Sequence, residues 1–546
     1  MPRESKLTFV HLWGIAVGSA IGGNFVGWNS TLLGGLAGAL LGLAISTILY
    51  MTLSLCIAEM SAHTLKIGGS HTFVGESPLG RLGAYVCGVA ELLKIIPTGS
   101  LCVFAVASYL SHSWTNIWGP KLVLEVGVWI LTYSVFTLLN IVGMEMSINL
   151  QVASTVVSIM VLASFYMPSL VAVDLQTHSL PGLEQKGVFF DDLASMWIAL
   201  PYSLWWYLGI ENVPLMAGSM SNPAQVMPKV IIASMATLAA VATLTLVLNS
   251  SVFPGVVSLA DSKAPLLDGF KALTENQYVL HGVSLLISLG LIVSFNCFVL
   301  YAGETIAVLA SDGILPTCLG VIHPRYGTPH VALAGSSLIG LSLLACAVGT
   351  MSGSKAVSVL INVAVVGGLV AYILQFVAYL SRQWASSDSG FRSPLGRPGA
   401  CLGLGLSVML LGCEFFHASV EVTDAEGLLM AMSVFGVALL VYWLDPPWVQ
   451  QDLVRKRALS LEGSAQGPYF MNTDEEEGRA DLGHFDPLSS SITSMTTLTP
   501  IMASPQRRRP LKGATSNGGN RGNTWRKEYC LIGDEGLKTQ SSWCDV

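Results

Sequence analysis

The sequence predicts an all-α polytopic membrane protein of about twelve spanning helices, two of them broken. Three observations lead there. The 546 residues are 52% hydrophobic and only 11% charged, whereas soluble domains carry about 25% charged residues. Apolar runs of about 20 residues, enough to cross a bilayer, recur along the chain up to Asp445. Two of these runs, the first and the sixth, carry glycine, proline and polar residues where a plain span would hold Leu, Ile and Val.

The first span, about Val10 to Leu33, contains GSAIGGNFVGW over Gly18–Trp28. A helix interrupted at mid-membrane frees backbone N–H and C=O groups that lipid cannot satisfy. Such a break persists only where protein buries it or a wet cavity lines it. Freed N–H groups attract anions and freed carbonyls attract cations. Gly22, Gly23 and Asn24 therefore mark a binding site, or else let two helices pack closely. The second span, about Leu36 to Ala62, carries Gly34, Gly38 and Gly42 four apart, a packing stripe, and ends in AEMSA with Glu59. The third, about Leu82 to Leu110, holds Glu91 and Lys94 one turn apart, where they can pair in lipid. The fourth, about Leu122 to Val142, runs into the link NIVGMEMS. The fifth is about Leu150 to Val173.

The sixth span, about Leu193 to Met216, reads ALPYSLWWYLGIENVPLMAG over 199–218. Pro201, Gly209 and Pro214 interrupt it, and Glu211 and Asn212 lie within it. An acid at this depth is costly and marks function by default. Spans seven to ten are about Val230–Val252, Val279–Leu309, Val331–Val348 and Ala356–Leu380. The eighth carries Asn296 and Glu304. Two additional spans, about Leu402–Phe416 and Leu428–Leu444, follow.

The basic loop residues Lys66, Arg81, Lys229, Arg325, Arg382, Arg392 and Arg397 all fall on the side of the N-terminus. Acids such as Asp174, Glu184, Asp261 and Asp268 fall on the other. The positive-inside rule then puts both termini in the cytosol. The sequence suggests a plasma-membrane protein, with an endomembrane as the alternative, and no cleavable signal peptide. The sequon at Asn249 is a weak glycosylation signal at the outer end of the seventh span. The domain plan is a transmembrane region over 1–445 and a polar, largely disordered cytosolic tail over 446–546. Ten scattered cysteines without a C-x-x-C pair indicate neither disulfides nor zinc. No cofactor or nucleic-acid partner is expected. The histidines lie mostly in loops, which argues against a membrane enzyme, and no selectivity loop or charged ring suggests a channel.

Broken helices that begin two successive groups of five point to an inverted-repeat transporter, with its site near mid-membrane where the breaks meet. The repeats are expected over about 8–175 and 190–382, with the extra helices over about 400–445.

The motifs also resemble a family. IGGNF, AEMSA followed by Gly68-Gly69, NIVGMEMS, WWYLGIE, SNPAQVMPK and SDGILP with HPRYGTPH occur in the order seen in the amino acid–polyamine–organocation superfamily. The resemblance covers about residues 8–445, and IGGNFVGW with AEMSA is similar to ethanolamine permease-like members. It implies the LeuT-type five-plus-five fold and secondary transport of a small amino acid or amine across the bilayer by alternating access. By that likeness, Ile21, Gly22, Gly23, Asn24 and Phe25 surround a substrate carboxylate or hydroxyl. Tyr207, Leu208 and Gly209 offer carbonyls to an ammonium, Trp205 and Tyr207 act as gates, and Asn296 adds polar lining. Glu211 is a gating or proton-sensitive acid, and Glu59, Glu91 and Glu304 are further proton candidates. Coupling to H+, or to Na+, follows as an expectation. The chain departs from the family in having Asn24 where ethanolamine-like members carry an acid. Gly218–Ser221 replaces an acidic pair, and the fifth span has no Lys. A pocket-bearing sensor that signals through the tail is the competing reading. The sequence leaves the oligomeric state open.

Overall fold

Inside a bilayer a long apolar run must close its backbone hydrogen bonds within itself. The computed structural model describes residues 7–63, 68–118, 121–179, 196–197, 199–219, 223–351, 353–381, 391–420 and 422–444. The expectations for the tail, for the acid-rich loop around Glu184, for Lys66 and Arg382, and for Met220 and Ser221 lie outside these residues.

Among the described residues, ten helices are long and apolar enough to cross a membrane. They lie in α2 (Gly35–His63), α4 (Gly80–Trp118), α5 (Lys121–Val142), α6 (Met144–Ala172), α7 (Pro223–Ser250), α10 (Gln277–Ser311), α11 (His330–Thr350), α12 (Gly353–Ser381), α13 (Gly396–Val420) and α14 (Val422–Leu444). The two missing from a count of twelve are the two read as broken. α1 (Phe9–Ile21) stops at the glycine pair, and 3₁₀ turns follow at Gly22–Asn24 and Trp28–Gly34. In the sixth segment, 3₁₀ turns cover Leu200–Trp206 and Ile210–Ser219. Three short helices connect the spans: α3 (Ser70–Gly75), α8 (Val256–Ala260) and α9 (Pro265–Leu273).

One boundary differs from the sequence expectation. NIVGMEMS is not a polar link between spans four and five. Only Gly143 interrupts the helices, and α6 starts at Met144, six residues before Leu150. Asn140 and Ser147 escape lipid by turning inward, where Ser147 Oγ donates to Asn140 Oδ1 at 2.8 Å.

Burial sorts the helices. α4 packs most extensively on α10 and α12, and these three form the interior with the broken segments. α5 and α14 are peripheral. α5 turns Leu122, Val123, Ile130, Leu131 and Leu138 outward, as a lipid-facing surface requires. Side-chain ties join segments that the charge pattern assigns to the same side. Arg81 donates to the carbonyl of Gly313 on one side. On the other, Asn29 Nδ2 donates to the carbonyls of Leu259, Ala260 and Ser262 at 2.9–3.1 Å. Asn249 is fully buried, with its amide nitrogen 3.2 Å from the Pro265 carbonyl.

Candidate functional site

The two breaks meet. A Cβ added at Gly23 would lie 2.5 Å from the Trp205 carbonyl oxygen, so only hydrogen fits between the backbones. A Cβ at Gly27 would lie 2.4 Å from Trp205 Nε1, and Gly27 has φ +89°, a conformation natural to glycine alone. Gly209, in the second break, has φ +118°.

Side chains replace the partners that the breaks remove. Ser294 Oγ, on α10, accepts from the Gly22 N–H at 2.9 Å and donates to the Gly18 carbonyl at 2.8 Å. Tyr109 OH donates to the Phe25 carbonyl at 2.6 Å, and Trp205 Nε1 to the Val26 carbonyl at 2.8 Å. Glu211 Oε2 accepts from the Gly209 N–H at 2.9 Å. Asn24 Oδ1 accepts from Thr245 Oγ1 at 3.1 Å.

Between the breaks lies a small cavity. Of the residues expected around substrate, Gly22, Gly23, Trp205 and Leu208 line it. Ser19, Thr98, Cys102, Ser294 and Phe298 line it too, and the sequence reading did not include them. The other expected residues stand close by without lining it. Ile21 and Asn24 are buried beside the cavity. Phe25 packs on Gly290 of α10, where an added Cβ would meet its ring at 2.3 Å. Tyr207 OH is 2.7 Å from Thr47 Oγ1. Asn296 belongs to a buried network with Asn140, Ser147 and Gln151. A second small cavity between α4, α5, α10 and α11 has a mostly apolar wall and touches neither break.

Beside Gly209 sits a cluster that the sequence showed only in part. Lys94 is fully buried and contacts two acids, Glu91 Oε2 at 2.6 Å and Glu211 Oε1 at 2.5 Å. The Glu91–Lys94 pair follows from their spacing. Glu211 is 117 positions from Lys94, and no local pattern announces that contact. Tyr372 OH donates to Glu211 Oε1 at 2.8 Å and lies 2.8 Å from Tyr50 OH. The remaining candidate acids lie elsewhere. Glu59 Oε2 accepts from Tyr379 OH at 2.5 Å and from the Ser393 N–H at 3.0 Å, which ties α2 to the end of α12 and the segment before α13. Glu304 is half-buried on α10 and belongs to neither the cavity lining nor the Lys94 cluster.

A family model described as amino acid permease matches residues 11–459. The chain belongs to the amino acid permease family. That places it in the superfamily its motifs resemble, as an integral multi-pass membrane protein. Similar proteins include an uncharacterized transporter of Rhizobium meliloti (strain 1021), 23% identical over 59% of this chain and 69% of that protein. An L-asparagine permease of Streptomyces coelicolor is 23% identical over 72% of this chain and 80% of its own length. The chloroplastic cationic amino acid transporter 6 of Arabidopsis thaliana is 22% identical over 69% and 65%. Family and relatives together support a transporter of amino acids rather than an enzyme.

Proposed function

We propose that this permease carries a small amino acid, or a closely related amine, by alternating access through the cavity between its two breaks. The observation that carries this reading is the backbone-to-backbone contact of Gly23 with Trp205 beside that cavity. Among the described residues, no acidic or basic side chain lines the cavity, which favours a substrate with a neutral side chain. An asparagine permease among the relatives agrees with that preference. Both termini are assigned to the cytosol and the plasma membrane is the expected location.

Purified protein in liposomes tests this. Radiolabelled L-alanine, L-asparagine, L-arginine, L-glutamate and ethanolamine are offered, and exchange against internal unlabelled substrate is measured. Saturable exchange of the neutral amino acids is expected. Gly23→Leu should abolish it while the protein still elutes as a folded monodisperse species, because the side chain would be driven into the Trp205 backbone. Normal exchange by that variant would remove the site from the first break. Thermal stabilisation by an amino acid without any exchange would replace transport by sensing.

A further inference from the structure

The Lys94 cluster has an odd charge count. With Glu91, Lys94 and Glu211 all ionised it carries one net negative charge in a region sealed from water. An uncompensated buried charge is costly, and such a group normally gains a proton or a counter-ion. The contacts decide where a proton fits. Glu211 already accepts from three donors: Lys94 Nζ, Tyr372 OH and the Gly209 N–H. Both of its oxygens are thereby already engaged. Glu91 is held less fully. Its Oε2 meets Lys94, while its Oε1 has only a long bond, 3.4 Å, from Gln375 Nε2. The Ser70 hydroxyl is its remaining neighbour. Gln375 is fully buried, and its Oε1 has no hydrogen-bond partner. Half a turn of that amide aims this acceptor at Glu91, matching a carboxylic O–H.

Resting on the transport reading above, we propose that Glu91 is a proton-binding site coupled to the cavity, with Gln375 able to accommodate both of its states. Protonation adds one H+ to Glu91 Oε1, and that O–H donates to Gln375 Oε1. On deprotonation the amide turns back and Nε2 donates to the carboxylate. The coupling runs through Lys94. When Glu91 is neutral, Lys94 is committed to Glu211 and clamps the second break through Gly209. When Glu91 is ionised, the ammonium is divided between two acids and the clamp loosens. The same elements reach the cavity. Leu208 lines it next to Gly209, and Thr98 lines it one turn from Lys94, donating to the Lys94 carbonyl at 2.6 Å. The other groups facing the cluster are Tyr50 from α2, Ser70 on α3, Cys87 on α4, Tyr301 from α10 and Tyr372 from α12. Among the described residues, no further carboxylate or ammonium contacts it.

The test uses full-length protein in liposomes with L-alanine as probe. An inward proton gradient should drive accumulation, and an internal pH dye should register one proton entering per alanine. In Glu91→Gln, the ratio of gradient-driven accumulation to exchange should fall about tenfold, the size of a typical coupling energy. Accumulation driven by a sodium gradient instead, or wild-type exchange without proton entry, overturns the proposal. Absence of exchange in the wild type overturns the transport reading alone. Infrared difference spectra on a pH step then judge the proton site without transport. A protonated-carboxyl band that Glu91→Gln removes and Glu211→Gln keeps supports it; a band lost only in Glu211→Gln refutes it. The wild-type proton count decides if the Glu91 variant does not fold.

Discussion

Lys94 shows how much one buried charge can organise. Its ammonium is fully enclosed and is shared by two acids from different spans. Removing one member of such a group leaves the others uncompensated, at a cost of about 3–5 kcal/mol. Lys94→Met should therefore lower the melting temperature in detergent sharply. The triple change Lys94→Met, Glu91→Gln and Glu211→Gln should recover much of the loss, because no lone charge remains. Equal melting temperatures for the single and triple variants would show that the lysine stem, not its charge, holds the site. Ser294 is the quieter counterpart. One hydroxyl bridges the Gly18 carbonyl and the Gly22 N–H where the first break begins, yet a serine on an apolar helix is too ordinary to stand out in a sequence.

At the level of elements, the short helix α3 links the second and third spans and packs against α4, α12 and the second break. His71 on it is buried, its Nε2 has no hydrogen-bond partner, and burial pulls its pKa down from 6.5 to about 4. The unfolded chain takes up a proton near pH 6.5, and the folded protein resists until about pH 4. Stability is thus lost as pH falls through that window, by about 2 kcal/mol at pH 5. Melting temperatures measured from pH 7 to pH 5 should decline less steeply for His71→Asn than for the wild type. Parallel slopes would clear this residue. The spans themselves were legible because lipid leaves an apolar run one solution. The breaks were legible because Gly22-Gly23 and the interruptions around Gly209 oppose that solution. The end of α5 at Val142 agrees with the sequence, but α6 starts six residues before Leu150, because Asn140 and Ser147 resemble a polar link whereas they satisfy each other inside the bundle. The meeting of Lys94 with Glu211, and the choice of Thr98, Cys102 and Phe298 as cavity walls, depend on how distant helices cross. No local pattern carries that information.

Across the whole molecule, transport and tail are separable expectations. The described helices, both breaks and the cavity lie before residue 445. A chain ending at Asp445 should keep at least about half of full-length exchange, since the groups that set transition barriers remain in place. Exchange that vanishes while the truncated protein still binds L-alanine would make the tail part of the working machine. The amide of Asn29 has a mechanical meaning at this scale. It stands just beyond the first break and grips three carbonyls of the segment around α8. That grip couples the outer arm of the broken span to this segment like a crank to a shutter. Under the alternating access proposed above, a swing of that arm would carry the segment with it, making entry from outside and reshaping of the cavity a single stroke.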